Sequence, residues 1–235
     1  MDINAHTQFC GVIGNPVEHS LSPAIHNAAF QKLGLNFVYL AFRVEAIGDA
    51  IKGLRALGNF RGASVTIPHK VAAVPFLDTV EPTARHIGAI NTIVAEGGSL
   101  TGYNTDATGA LRALREGGVA LKGQHVVMLG SGGAARAIAF ALGTEAGIAR
   151  LSLLGIDEGE RTALAQDLQS KTGLTVQAAP LDDATLRQVL PEAQVLVHCT
   201  PMGMSPNVQG TSVPAPLLHA GLTVMDIVYN PRETR

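Results

Sequence analysis

The chain has no tryptophan, only two cysteines and only 15% charged residues. Cys10 and Cys199 form neither a CxxC motif nor a close metal-type pair, and a reducing cytoplasm fits such a chain. The eight histidines include no pair at HxxxH spacing, so no metal site is expected. Basic residues are not in excess: 17 Lys and Arg give a formal net charge of −2, which argues against a general nucleic-acid binder. No apolar run reaches the roughly 18 residues that a membrane helix needs. The opening MDINAHTQFCGVIG lacks the basic and apolar regions of a secretory signal. Repeats and low-complexity segments are missing too. What is present is 46% hydrophobic residues over 235 positions, enough for a substantial core, and 26 glycines, which suit many tight strand-to-helix turns.

Strand-like and helix-like stretches alternate along the chain. An apolar run at 9–13 precedes the turn-rich GNPVEHSLSP. The spacing of Ile25, Ala28, Ala29 and Leu33 predicts a helix over 24–33 with those residues on its apolar face, stopped by Gly34. A strand at 37–42, a helix at 47–57 and a strand at 62–67 follow, then helices at 71–77 and 82–86. Two strands at 91–95 and 99–103 read as a hairpin around Gly97-Gly98, and a helix at 107–116 ends at Gly117-Gly118. A second unit starts near Lys122, with strands at 124–129, 149–156, 175–178, 194–199 and 223–227 and helices at 134–144, 161–172 and 184–189. This alternation predicts an α/β fold, a parallel sheet covered by helices on both faces.

The segment HVVMLGSGGAA, 125–135, is a strand, a glycine loop and a helix start. Gly130, Gly132 and Ala135 match GxGxxG/A. The first glycine makes the tight turn, the second lets backbone approach a pyrophosphate, and the small third residue permits close helix–strand packing. The helix N-terminus then offers free N–H groups to phosphates. The next strand ends at Asp157. An acid there can bond an adenosine ribose hydroxyl and repel a 2′-phosphate, which favours NAD over NADP on local chemistry. Asp157 is equally suited to cap the helix that follows.

Polar residues gather at element ends in the first half. Ser20 and Ser22 of SLSP share a face in extended chain and can reach one anion, while Ser22-Pro23 also fits the cap and first position of a helix. In SVTIPHK a strand runs into a proline and then Lys70. Asn91 opens a strand, and Asp106 stands at the start of the next helix. Two serines, Thr66, Lys70, Asn91 and Asp106 together suit a small polyol carboxylate better than an apolar ligand.

With GNPVEHSLSPAIHN at 14–27, SVTIPHK at 64–70, GAINT at 88–92, GYNTDATG at 102–109, GSGGAARA at 130–137, TPMGM at 200–204 and DIVYNP at 226–231, the chain resembles the shikimate dehydrogenase family, which includes quinate/shikimate dehydrogenases. The resemblance implies a substrate-binding domain at 1–106 and a Rossmann-like nicotinamide-binding domain at 107–235. It implies reversible oxidation of shikimate to 3-dehydroshikimate, a step of aromatic biosynthesis in the cytoplasm. Ser20, Ser22 and Tyr229 would bind the substrate carboxylate, and Thr66 and Asn91 its ring hydroxyls. Lys70 and Asp106 would flank the hydroxyl that is oxidised, with Lys70 as proton carrier or electrostatic orienter. Gly130, Ser131, Gly132, Gly133 and Ala134 would hold the cofactor pyrophosphate, Asp157 would meet the adenosine ribose, and Ile227 would lie near the nicotinamide. The family implies NADP. NAD stays open, because the family's Asn-Arg-Thr sequence for the 2′-phosphate is replaced here by GIDEGER. The expected partner is the small substrate, with neither nucleic acid nor membrane, and the expected assembly a monomer or homodimer. An enzyme that takes quinate with NAD, and a binding protein that kept the fold without turnover, are the alternatives. Family chains continue roughly 35 to 40 residues past YNP into helices and a Gln-Gly motif, so the present sequence is expected to be a fragment or a naturally short member. His198-Cys199 stands where relatives often have Asn-Ala, a departure without a physical reading at this stage.

Overall fold

The computed structural model describes residues 3–235, so Met1 and Asp2 of the opening segment lie outside the described residues. The chain divides into two compact units, Met1–Thr105 and Asp106–Arg235. In the first, β1 (Gln8–Gly14), α1 (Ser22–Lys32), β2 (Phe37–Arg43), α2 (Ile47–Arg55), β3 (Phe60–Val65), β4 (Thr79–Val80), α3 (Pro82–Ile87), β5 (Thr92–Glu96) and β6 (Ser99–Tyr103) follow in order. The sheet runs β2-β1-β3-β5-β6-β4. β1 is parallel to β2 and β3, but β5 is antiparallel to β3 and β6, so this sheet is mixed rather than parallel. The reversal has a local cause. Gly97 and Gly98 both have positive φ and form a two-residue turn that only an antiparallel pair can use.

Two helical expectations in this unit fail for identifiable reasons. Residues 71–77 form no α-helix, only a short 3-10 turn at Val74–Phe76. Pro75 sits mid-segment, where it lacks an N–H and its ring clashes with the preceding turn. Helix α1 forms, but its expected apolar face is the exposed one: Ile25 is 63% and Leu33 69% exposed. The opposite face is fixed by Asn27. Its carboxamide donates to the Tyr39 carbonyl and accepts from the Tyr39 N–H, both at 2.9 Å, and so acts as a strand partner for the edge of β2. Phe30, on the same face, packs against Phe37. Phe30 also packs on Val12, Val17 and Tyr39, while the larger core of this unit is built from Ile13, Ile51, Phe60, Val65, Ile90 and Ile93.

The second unit comprises α4 (Asp106–Glu116), β7 (His125–Leu129), α5 (Gly133–Ala141), β8 (Arg150–Gly155), α6 (Glu158–Thr172), β9 (Thr175–Pro180), α7 (Asp183–Val189), β10 (Val195–His198) and β11 (Thr223–Asp226). All its strand pairs are parallel, in the order β11-β10-β7-β8-β9. β7, at the centre, is buried at every position, as expected of a strand covered on both faces. The helix starts are marked by side chains: Asp157 caps α6 and Asp182 caps α7, each carboxylate accepting a backbone N–H at 2.8 Å. Such a cap is worth about 1 kcal/mol. The strand order reverses direction between β7 and β10, the place where open parallel sheets bind dinucleotides beyond their carboxyl ends.

Candidate active site

The first unit gathers its polar residues where β1 and β3 both end. β3 stops at Val65, two residues earlier than the sequence suggested, and the chain is then held from both sides. The Thr66 N–H donates to the Ile13 carbonyl at 2.9 Å, and the Val65 N–H to the Asn91 carbonyl at 2.7 Å. The His69 N–H returns to the Thr66 carbonyl, and the buried His69 ring meets the Val44 carbonyl at 2.7 Å. The Lys70 carbonyl accepts from the Ile90 N–H at 2.8 Å. Thr66, Lys70 and Asn91 are thereby brought together, each half-buried. The Asn91 carboxamide is oriented by Thr105, which receives a hydrogen bond from Nδ2 at 2.8 Å and returns one from its backbone N–H to Oδ1 at 3.1 Å. The Thr92 hydroxyl also donates to Oδ1, at 2.9 Å.

Ser20 lies in the loop after β1 and Ser22 is the first residue of α1, at the same end of the sheet. The helix cap position is Leu21, not Ser22, and no side chain caps α1. The Ser22 N–H donates to the Ser20 hydroxyl at 3.3 Å, and nearby the Tyr39 O–H donates to Ser64 at 2.8 Å. Burial pushes the Tyr39 phenol above its ordinary pKa, against the opposing effect of the hydrogen bond with Ser64. Its ring is stacked on His26, with centroids 4.3 Å apart. Tyr39 and Ser64 are absent from the sequence reading. They stand 25 residues apart and meet only because β1 lies between their strands.

The second unit carries the dinucleotide-type turn. Gly130 has φ of +103°, and a Cβ there would lie 3.0 Å from the Cys199 carbonyl oxygen. Gly132, at the cap of α5, has φ of −72° and no protein atom within 4 Å of where a Cβ would be. No side chain caps this helix. The first-turn N–H groups, from Gly133 onward, thus have no side-chain cap, and a helix start of this kind can bind phosphates. Ala135 is fully buried, as the close packing of α5 requires. These features fit a dinucleotide pyrophosphate. Ser131 donates to the Glu160 carboxylate at 3.2 Å, which places an acid beside the same turn. Asp157 is exposed, and its carboxylate caps α6, so the capping alternative is realised. The Arg161 guanidinium turns to the Gly155 carbonyl at 3.2 Å.

Asp106 is the half-buried first residue of α4. The Ile227 N–H donates to the His198 carbonyl at 3.2 Å, which seats Ile227 beside the end of β10. Tyr229 is 66% exposed. His198 is the centre of a network outside the sequence-derived set. Its Nδ1 meets Asp226 Oδ1 at 2.9 Å, and its Nε2 meets the hydroxyls of Thr200 at 2.5 Å and Ser212 at 3.1 Å. The Asp226 carboxylate feels burial, which raises its pKa, but hydrogen bonds from the Val228 N–H, Thr234 and His198 hold it below the ordinary value. Among the described residues, no group of three or more His, Cys, Asp or Glu could hold a metal ion, and no helix is long and apolar enough to cross a membrane.

A mixed α/β unit with a hydroxyl-, amide- and amine-lined end, followed by a parallel unit with a dinucleotide turn, defines a nucleotide-linked enzyme of the Rossmann class. Residues 12–93 match the family model of the shikimate dehydrogenase substrate binding domain. The chain is 48% identical over 232 residues to the shikimate dehydrogenase (NADP(+)) of Symbiobacterium thermophilum, covering 97% of this chain and 78% of that protein. It superposes on the Listeria monocytogenes shikimate 5-dehydrogenase, solved with shikimate and NAD, with a TM-score of 0.84 at 38% identity, covering 100% of this chain and 83% of that one. The Thermus thermophilus enzyme, solved with NADP(H) and shikimate, gives 0.77 at 40% identity, covering 96% and 80%. This chain belongs to the shikimate dehydrogenase family.

Proposed function

We propose that the chain catalyses the reversible interconversion of shikimate and 3-dehydroshikimate with a nicotinamide dinucleotide. The observation that carries this reading is the stitching of Thr66, Lys70 and Asn91 to one end of the first sheet, next to the Ser20–Ser22 loop. A bound nicotinamide dinucleotide supplies the hydride chemistry. Gly130, Ser131, Gly132, Gly133 and Ala134 would hold its pyrophosphate, and Ile227 would pack near the nicotinamide. Ser20, Ser22 and Tyr229 bind the carboxylate, and Thr66 and Asn91 the ring hydroxyls. An alcohol that gives up hydride must also give up its O–H proton. Lys70 is the amine that takes it and returns it in the reverse direction.

NADP is the cofactor that the named relatives favour. NAD is the second reading, supported by Asp157, Glu158 and Glu160 clustered after β8, where a 2′-phosphate would need a cation. The two cysteines form no disulfide, which suits a reducing cytoplasm. Turnover is tested by the reduced-nicotinamide absorbance with shikimate or quinate and NADP or NAD, in all four pairings. Reduction with shikimate is expected. Folded protein that binds shikimate in a calorimeter yet reduces neither cofactor would make it a binding protein instead.

A further inference from the structure

Asn91 stands just before β5, and its backbone is fixed without help from its side chain. Its N–H donates to the Tyr103 carbonyl at 2.9 Å, and its carbonyl accepts from the Val65 N–H at 2.7 Å. These two bonds extend the antiparallel ladders of β5 with β6 and with β3. The carboxamide is held separately. Oδ1 accepts from the Thr105 N–H at 3.1 Å and from the Thr92 hydroxyl at 2.9 Å, and Nδ2 donates to the Thr105 hydroxyl at 2.8 Å. Thr105 therefore grips both ends of one side-chain amide, its backbone on the oxygen and its hydroxyl on the nitrogen.

The neighbouring residue does the structural work of this loop. Asn104 is 7% exposed and donates to the Ala89 carbonyl at 3.0 Å, which ties the chain after β6 to the segment before β5. Thr105 is exposed and adds little to the core. What it fixes is the pair of side-chain torsions of Asn91. The polarity of the grip is also set. A backbone N–H only donates, so the atom facing it has to be Oδ1, and the nitrogen edge is fixed with it. An asparagine able to flip would offer a ligand a donor in one state and an acceptor in the other.

We propose that Thr105 is a positioning residue for substrate binding: it locks the Asn91 carboxamide so that Nδ2 is presented as a donor to a ring oxygen of the polyol. The proposal rests on the dehydrogenase reading, which makes Asn91 a contact of the ring hydroxyls. A hydroxyl oxygen and a keto oxygen both accept such a bond, so the lock acts on binding in either direction of the reaction.

The test is calorimetric titration of shikimate, with KM, kcat, dinucleotide Kd and Tm recorded for each variant. Thr105→Val keeps the backbone N–H and the branched shape but removes the oxygen that Nδ2 meets. It is expected to raise shikimate Kd and KM about fivefold, the size of one hydrogen bond, with a smaller change in kcat. Dinucleotide Kd and Tm are expected to stay close to the wild-type values. Thr105→Ser restores the oxygen and is expected to recover the wild-type shikimate Kd. In an Asn91→Ala background Thr105→Val should add nothing, because a residue that acts through another is silent once the other is gone. Unaltered shikimate Kd in Thr105→Val, a serine variant as weak as the valine one, or an equal loss in the Asn91→Ala background overturns the proposal. Wild-type protein that binds shikimate without turnover refutes the dehydrogenase reading, and the same comparison of Kd values still decides the role of Thr105. Wild-type protein that binds no shikimate refutes both.

Discussion

Gly130 and Gly132 lie two residues apart in one loop, and the structure assigns them opposite sensitivities. Alanine at Gly130 must adopt φ of +103°, a region that side-chain-bearing residues rarely occupy, at about 1–3 kcal/mol. Its Cβ would also sit 3.0 and 3.1 Å from the Cys199 carbonyl atoms, which are backbone and yield little; such overpacking adds about 1–3 kcal/mol. The sum, about 2–6 kcal/mol, corresponds to a Tm lower by roughly 4–24 °C for a chain of this size. Alanine at Gly132 meets no protein atom and keeps an ordinary φ of −72°. Its only structural consequence is a poorer cap for α5, within about 1 kcal/mol. In the proposed function that space takes the pyrophosphate, so dinucleotide affinity should fall by at least about tenfold, the equivalent of 1.4 kcal/mol. Thermal denaturation of both variants, with calorimetric titration of NADP and NAD, separates the two effects. The reasoning is wrong if Gly132→Ala binds dinucleotide like the wild type, or if Gly130→Ala melts where the wild type does.

Lys70→Met removes the proton acceptor but keeps the stem, and should lower kcat by at least about 100-fold with a smaller change in shikimate KM; a near-normal kcat sinks the role. Glu160→Gln removes a negative charge bonded to Ser131 at the phosphate turn, and should tighten NADP binding about two- to fivefold in titrations at low salt; an unchanged or weaker Kd refutes the repulsion. Burial, reinforced by the Arg150 charge, holds the His125 imidazole below its usual pKa and outweighs the contribution of Glu192. The unfolded chain therefore binds the extra proton first, and stability should fall as pH drops below about 6.5. Urea denaturation between pH 5 and 8 reads that slope, and His125→Gln should flatten it; an identical slope in the variant refutes the assignment. The depressed carboxylates of Asp167 and Asp226 act in a separate window, losing their contribution only as pH falls below about 3.8.

The parts of this fold that are legible in the sequence are those with a local physical cause. Gly97-Gly98 specifies a hairpin and Gly130 a turn that a Cβ would block, because each acts through its own backbone. The failures have local causes too, weighed wrongly. Pro75 within 71–77 is itself the signal against a helix there. In α1 the alanine-rich pattern Ile25, Ala28, Ala29 outvoted Asn27, although two hydrogen bonds to the Tyr39 backbone fix the helix more firmly than a stripe of small apolar side chains can. Asp157 was open between two tasks, and the structure fulfils the local one, its cap of α6.

A different obstacle hides Tyr39–Ser64 and His198–Asp226. Their members are 25 and 28 residues apart, and nothing near either residue announces the other. What joins them is register between parallel strands, and in a parallel sheet register is set by the packing of crossover helices rather than by a turn. His198↔Asp226 is one rung of such a ladder. One residue of slip would turn the side chain to the opposite face of the sheet and leave a half-buried carboxylate without its ring partner. The imidazole–carboxylate pair, with hydroxyls on its far side, is thus a test of the register as well as of the chemistry. A spectrum of the His198 ring nitrogens showing hydrogen on Nδ1 would support both, and one showing it only on Nε2 would refute the pairing.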